Sequence, residues 1–288
     1  MIRCVAFVLA VLAAGAATAQ SVQLAPYKDR MFALPRVIES RDDGAYRRVD
    51  YREGRDVNGR DDIPGRKVRG RYISMRPRGS EAELTLATAA GPVRYRVAGK
   101  QTGARVVSIY VHGRGGDRRQ GMNDRSFGGN FNRLKNLMVR NGGLHVSPDM
   151  PEDPSAGANL VEALMARHGG RRNVVVACGS QGAAVCYELL RSATARPFLA
   201  GIALLGGFAD RSVLTAPPFR DDSPVPVYLG HGSRDQAYDV GRMEALYGAM
   251  RSAGYPARMV VFESGIHGTP IRMTDWRETI NWMLRGGR

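Results

Sequence analysis

The sequence predicts an α/β fold: a mostly parallel central sheet with antiparallel N-terminal strands, helices on both faces and no large cap domain. Two observations predict it. From residue 105 onward, short apolar or β-branched runs alternate with stretches of helical period, the pattern of strands joined by crossover helices. Before residue 100, three runs carry alternating or β-branched residues between glycine-containing turns, the pattern of antiparallel strands. Together they describe a mixed sheet. At 288 residues the chain is long enough to bury a sizeable core.

The chain begins with a charged Arg3, an apolar run over 5–14 and a small-x-small end at Ala17-Thr18-Ala19. These features predict a secretory signal peptide over 1–19 and a periplasmic or secreted product. The apolar run is short for a membrane span, and no later run is long enough either. Residues 20–70 are dense in Arg, Asp and Gly without a sustained apolar period, so a basic, extended or partly disordered lead-in is expected there. The folded domain is then expected over 71–288.

Within that domain, residues 71–75, 82–87 and 92–97 read as antiparallel strands, and 105–111 as a stronger, buried one. Residues 129–140 have helical period, 143–146 form a short strand, and 156–168 a helix stopped by Gly169-Gly170. Residues 173–177, 198–205, 225–229 and 257–262 are the remaining strands. Residues 182–190, 240–253 and 274–284 are the remaining helices. The connection at 206–224, between the strands at 198–205 and 225–229, is short, enough for a small flap.

The formal charge is +15, and loss of Arg3 with the leader leaves about +14. Only four of the 42 basic residues are lysine, a bias that fits a GC-rich bacterial genome. Such a charge favours acidic surfaces such as lipid headgroups or envelope polymers. Nucleic acid is not expected as a partner of an exported chain without a recognition motif. Cys178 and Cys186 remain after the leader is removed. A disulfide between them is open, but two buried thiols are favoured, because a helix on a sheet rarely brings Cα atoms close enough.

The chemistry gathers around Cys178-Gly179-Ser180-Gln181-Gly182, between the strand at 173–177 and the helix at 182–190. A serine at the tip of a strand-turn-helix is placed to act as a nucleophile. It needs a histidine to accept its proton and a carboxylate to orient that histidine. In parallel sheets a site forms at the carboxyl ends of strands. The strand at 225–229 ends in His231-Gly232-Ser233-Arg234-Asp235, and the strand at 257–262 leads to Gly265-Ile266-His267-Gly268. Asp235 and His267 are therefore the candidate acid and base. Asp149, Asp210 and Asp239 are rival acids, and His231 is expected to support its own loop. After the strand at 105–111 comes His112-Gly113-Arg114-Gly115-Gly116. A glycine-rich loop there can aim backbone N–H groups at a developing oxyanion. Gly113 or Arg114 would supply one donor and Gln181, at the start of a helix, the other. The loop lacks the Gly-Lys-Ser/Thr that would mark a phosphate cradle.

On these four motifs the chain, from about Arg71 to its end, resembles the alpha/beta-hydrolases. The resemblance implies an eight-stranded sheet, acyl transfer through an acyl-enzyme, and no cofactor or metal. Carried over by motif, Ser180 is the nucleophile, Asp235 the acid and His267 the base. The nearest groups are small carboxylesterases, phospholipases and dienelactone-hydrolase-like enzymes. Two features depart from the pattern: Cys178 stands where a glycine is usual, and the lead-in is basic.

The expected partner is thus an ester substrate. If Arg114, Arg118, Arg119, Arg211 and Arg234 face the cleft, an anionic or phosphate-bearing ester is favoured; a purely surface role is equally open. A phospholipase held electrostatically at a membrane is the second reading. A peptidase of this fold usually adds a large propeller or cap, for which there is no room. A non-enzymatic envelope-binding protein on a hydrolase scaffold is the fourth.

Overall fold

A computed structural model describes residues 22–89, 91–217 and 224–288. The expected leader at 1–19 and part of the expected flap lie outside these residues. In chain order the elements are α1 (Asp29–Phe32), β1 (Val37–Arg41), β2 (Tyr46–Val49), β3 (Asp61–Asp62), β4 (Lys67–Val68), β5 (Glu81–Thr88), β6 (Gly91–Gly99) and β7 (Val107–Val111). Then come α2 (Asn130–Arg140), β8 (Leu144–Pro148), α3 (Pro154–His168), β9 (Val174–Gly179), α4 (Ala183–Arg191), β10 (Leu199–Leu205), β11 (Val227–Gly232), α5 (Val240–Ser252), β12 (Ala257–Phe262), α6 (Thr269–Met273) and α7 (Trp276–Leu284).

Among the described residues one sheet has ten strands, in the order β1-β2-β12-β11-β10-β9-β7-β8-β6-β5. Neighbours from β2 to β8 run parallel. The β5–β6, β6–β8 and β1–β2 pairs are antiparallel. Central strands buried on both faces explain the near-continuous Val, Ile and Leu of β7, β9 and β10. Alternation along β9 divides the core. Val174, Val176 and Cys178 pack with Leu160 and Leu164 of α3, Leu189 of α4 and Leu246 of α5. Val175 and Ala177 pack with Leu134 of α2 and Trp276, Ile280 and Trp282 of α7. Helices therefore cover both faces, and α3, α5 and α7 each start at a side-chain cap. The carboxylates of Asp153, Asp239 and Asp275 accept from the first free N–H groups of α3, α5 and α7.

The structure departs from expectation in three places. Residues 71–75 are not a strand: 3-10 turns occupy Gly70–Tyr72 and Arg76–Ser80. The backbone of Ser74 bonds to the side chain of Asn132 on α2, at 2.9 Å through both its N–H and its C=O. Ile73 is buried with Phe32 and Tyr72. The apolar pattern there serves packing on a helix, not pairing in the sheet.

The second departure is the lead-in. Residues 22–70 are part of the folded unit: β2 pairs with β12, and β1 forms the outer edge. The sheet thus has ten strands, not the eight the resemblance implies, and the fold begins well before residue 71. Its arginines have distant partners. Arg48 pairs with Glu244 at 3.0 Å and Glu263 at 2.7 Å, and Arg47 with Glu278 at 2.9 Å. Fully buried Arg133 on α2 binds Asp29 and Asp275, each at 3.0 Å. Arg272 of α6 is clamped by Asp61. Leu24 is buried, its N–H donating to the Asn281 side chain at 2.7 Å.

The third is the cysteine pair. Cys178 and Cys186 form a disulfide, with Cα atoms 6.2 Å apart. No described helix is long and apolar enough to cross a membrane.

Candidate active site

Strand β9 ends at Gly179, and one 3-10 turn over Ser180–Gly182 leads straight into α4. At the tip, Ser180 has φ of 54°, a left-handed conformation that a side chain disfavours. Close approach of backbone on both sides enforces it. A Cβ on Gly113 would sit 2.9 Å from Ser180 Cβ, and one on Gly182 would sit 2.8 Å from the carbonyl of His112. Only glycine fits at either point. The glycine-rich loop after β7 is thereby pressed against the serine and the first turn of α4. A Gly113→Ala variant should push Ser180 aside and lower kcat about 10- to 100-fold, as misplacement by an ångström does. Steady-state kinetics on a folded variant would read it, and unchanged kcat would contradict the contact.

This close packing also explains the disulfide. With Gly182 and Ala183 at its start, α4 lies near enough to β9 for Cys186 to reach Cys178. Preference for two thiols, based on ordinary helix–sheet spacing, underestimated that approach.

The carboxyl ends of β9, β11 and β12 bring three side chains together. His267 Nε2 lies 2.8 Å from Ser180 Oγ, and its Nδ1 lies 3.0 and 2.8 Å from the two oxygens of Asp235. The Asp235 side chain is wholly buried. Its Oδ1 accepts from the N–H of Ala237 at 2.8 Å and of Tyr238 at 3.1 Å. Burial by itself would raise this carboxyl. The bonds from His267, Ala237 and Tyr238 outweigh it and hold Asp235 below the usual carboxylate range. The hydrogen bond to Asp235 raises His267 above the ordinary imidazole value, against a smaller opposing effect of burial.

The other candidates are occupied. His231 is buried, and its Nε2 donates to the Tyr238 carbonyl at 2.9 Å, bracing the loop that carries Asp235. Asp149 holds Arg118, Asp210 pairs with Arg191, and Asp239 caps α5. His112 accepts the Met150 N–H on Nε2 at 3.3 Å, so its Nδ1–H donates to the Gly113 carbonyl at 2.8 Å. This fixes the start of the glycine-rich loop. Arg114 donates from Nε to the Gln181 side chain at 2.9 Å, tying together the two segments whose N–H groups are the candidate donors.

The arginines are less available than the sequence allowed. Arg118 is held by Glu83 at 2.8 Å and Asp149 at 3.0 Å, and Arg119 by Asp117. Two aromatic residues went unread. Tyr238 lies against His267 with ring centroids 5.7 Å apart, and Phe208 lies 5.8 Å beyond Tyr238. Tyr238 follows Asp235 by three residues on the same loop, which was the available signal. Among the described residues no group of His, Cys, Asp or Glu could hold a metal ion.

No protein-family model matches the chain, and no curated protein matches it. Solved structures do. A thermostable esterase aligns with TM-score 0.57 and 15% identity over 72% of this chain, spanning 63% of its own length. A Staphylococcus aureus fluorophosphonate-binding serine hydrolase aligns with TM-score 0.53 and 11% identity, over 71% of this chain and 98% of its own. A ferulic acid esterase aligns with TM-score 0.53 and 14% identity, over 72% and 98%. At these identities the likeness is one of fold, and the chain has the alpha/beta-hydrolase fold.

Proposed function

We propose that this chain is an exported serine hydrolase that cleaves carboxylic esters through an acyl-enzyme. One observation carries the reading: the unbroken hydrogen-bond chain from Asp235 through His267 to a serine held in a left-handed conformation. Solved fold relatives described as esterases and as a serine hydrolase add support.

The chemistry follows from the donors. His267 Nδ1–H is donated to the ionised Asp235, so Nε2 is the free base facing Ser180 Oγ–H. As Oγ attacks the ester carbonyl, Nε2 takes its proton. The negative charge on the carbonyl oxygen is met by the N–H groups of Gln181 and of Gly113 or Arg114. The imidazolium then protonates the departing alkoxide, leaving the acyl group on Oγ. Water, deprotonated by the same Nε2, attacks the acyl-enzyme and releases the acid and the serine. The Tyr238 ring beside His267 supports esters with an apolar arm. Export is supported by the leader-like residues 1–19 and by the disulfide, which belongs to oxidising compartments.

The test is to treat residues 20–288 with a fluorophosphonate and with short- and long-chain nitrophenyl esters, beside Ser180→Ala and His267→Ala. Labelling and turnover should vanish in Ser180→Ala. Folded wild type that neither labels nor turns over ester would sink the reading and favour a binding scaffold. Turnover confined to anionic vesicles and suppressed by salt would favour the lipolytic alternative.

The pH profile has a definite sign. Only neutral His267 accepts the serine proton, and its partner raises its pKa. The acid limb of kcat/KM should therefore lie above the ordinary imidazole value of about 6.5, activity falling as pH falls through it. A limb at or below that value would contradict the His267–Asp235 bond.

A further inference from the structure

We infer that the Cys178–Cys186 bridge is a positioning element for the nucleophile, holding Ser180 in its reactive conformation. The inference rests on the serine-hydrolase reading. Cys178 occupies the position two residues before the serine, where a side chain is least expected. It is the penultimate residue of β9, and Cys186 is the fourth residue of α4. The covalent ring between them therefore contains Gly179, Ser180, Gln181 and Gly182. In effect the bridge spans the elbow from one arm to the other.

What the bridge can do follows from the state of Ser180. A non-glycine residue in a left-handed conformation persists only where its surroundings over-determine it. Gly113 and the carbonyls of Val111 and His112 press on the elbow from the side of β7. Gly207, just past the end of β10, lies against Ala183 and the Ser180 carbonyl, so the elbow is confined sideways. Nothing in these contacts prevents α4 from sliding along β9, which would let Ser180 relax towards an ordinary φ and draw Oγ away from His267. The disulfide supplies that restraint, because it fixes the strand end to the first turns of the helix. Both cysteines are fully buried in the core between β9 and the helices α3 and α4. The bridge is therefore shielded from solvent thiols in the native protein, as a permanent restraint requires. Gly113, Arg114 and Tyr238 lie outside the ring, whereas Gln181, whose N–H is a candidate donor to the developing oxyanion, lies within it. Loss of the bridge should accordingly act on the reaction step and leave ground-state binding intact.

The experiment compares wild type with Cys178→Ala, Cys186→Ala, the double alanine variant, and Cys178→Ala/Cys186→Val, whose added methyl groups refill part of the space left by the sulfurs. Each is confirmed folded by circular dichroism, and kinetics are read well below its melting temperature. The expected result is a fall in kcat of about tenfold or more with KM within twofold, the same in both single variants and both doubles. The rate of fluorophosphonate labelling should fall in step. A purely structural bridge would lower the melting temperature and leave kcat and labelling at 25 °C unchanged; that result in any folded bridge-free variant overturns the inference. Failure of the alanine variants to fold leaves the Cys186→Val double to decide. If that variant also fails, wild type reduced and alkylated in mild urea, then returned to buffer, is tested by the same labelling rate. An unimpaired rate there overturns the inference as well. Folded wild type that does not label at all sinks the underlying hydrolase reading, which separates the two failures.

Discussion

Ser180→Gly should abolish ester turnover, by about five to six orders of magnitude, and yet melt at a higher temperature than Ser180→Ala. Both variants remove Oγ, its attack on the ester and its hydrogen bond to His267. They differ only in the Cβ at a residue with φ of 54°. At an ordinary position glycine is the less stable of the two by about 0.5–1 kcal/mol, through the entropy of the unfolded chain. In a left-handed conformation the Cβ itself costs about 1–3 kcal/mol, which outweighs that entropy. The net gain for glycine is about 1 kcal/mol, or roughly 2–4 °C in a chain of this size. Calorimetry on the two variants reads the difference directly. Alanine equal to or above glycine would mean that the elbow is not strained, and would remove the stored conformation on which the nucleophile reading leans.

The parts of this site that were legible in the sequence are those written in adjacent residues. A β-branched run, small residues around a serine and an apolar helix are all local, so the elbow at 178–182 could be read without any partner. Loops at strand ends are nearly as local, which brought Asp235 and His267 into view as partners for Ser180, and the structure brings these side chains together. Choosing Asp235 over Asp149, Asp210 and Asp239 was a different matter. All four lie near strand ends, and only the folded chain shows three of them spent on Arg118, on Arg191 and on the cap of α5. Residues 22–70 failed for the same reason on a larger scale. In a local window they are an arginine-rich stretch without a core pattern. Their apolar and ionic partners lie far away: Arg48 meets Glu244, 196 residues later, and Leu24 meets Asn281, 257 residues later. Once those partners are in place the charge is compensated and Tyr46 and Val49 are buried, so what reads as a solvated tail becomes an edge of the sheet. The disulfide turned on a distance between strand and helix, which composition and spacing do not encode.

Asp235→Asn should lower kcat by about 10⁴-fold while leaving KM and the melting temperature close to wild type. The magnitude is that of the same change in the trypsin triad; the direction follows from the hydrogen bonds here. Asp235 Oδ1 is held by two backbone donors, the N–H groups of Ala237 and Tyr238. An asparagine keeps its carbonyl oxygen on those donors, since an amide NH2 facing them would set donor against donor and leave both N–H groups without their acceptor. Its NH2 then takes the place of Oδ2, which is 2.8 Å from His267 Nδ1. A donor at that point obliges Nδ1 to accept, and the ring proton moves to Nε2. Nε2–H now faces Ser180 Oγ and has no lone pair for its proton. The ring stays where it was, packed against Tyr238, so ground-state binding is little affected. Two readouts separate this account from simple loss of a structural contact. The acid limb of the pH profile should shift downward, because the group that raises His267 is no longer anionic. Asp235→Ala, which leaves Nδ1 free to keep its proton or bind water, should retain as much activity as asparagine or more. A loss below tenfold in Asp235→Asn, or an equal loss in Asp210→Asn or Asp239→Asn, would assign the orienting carboxylate elsewhere.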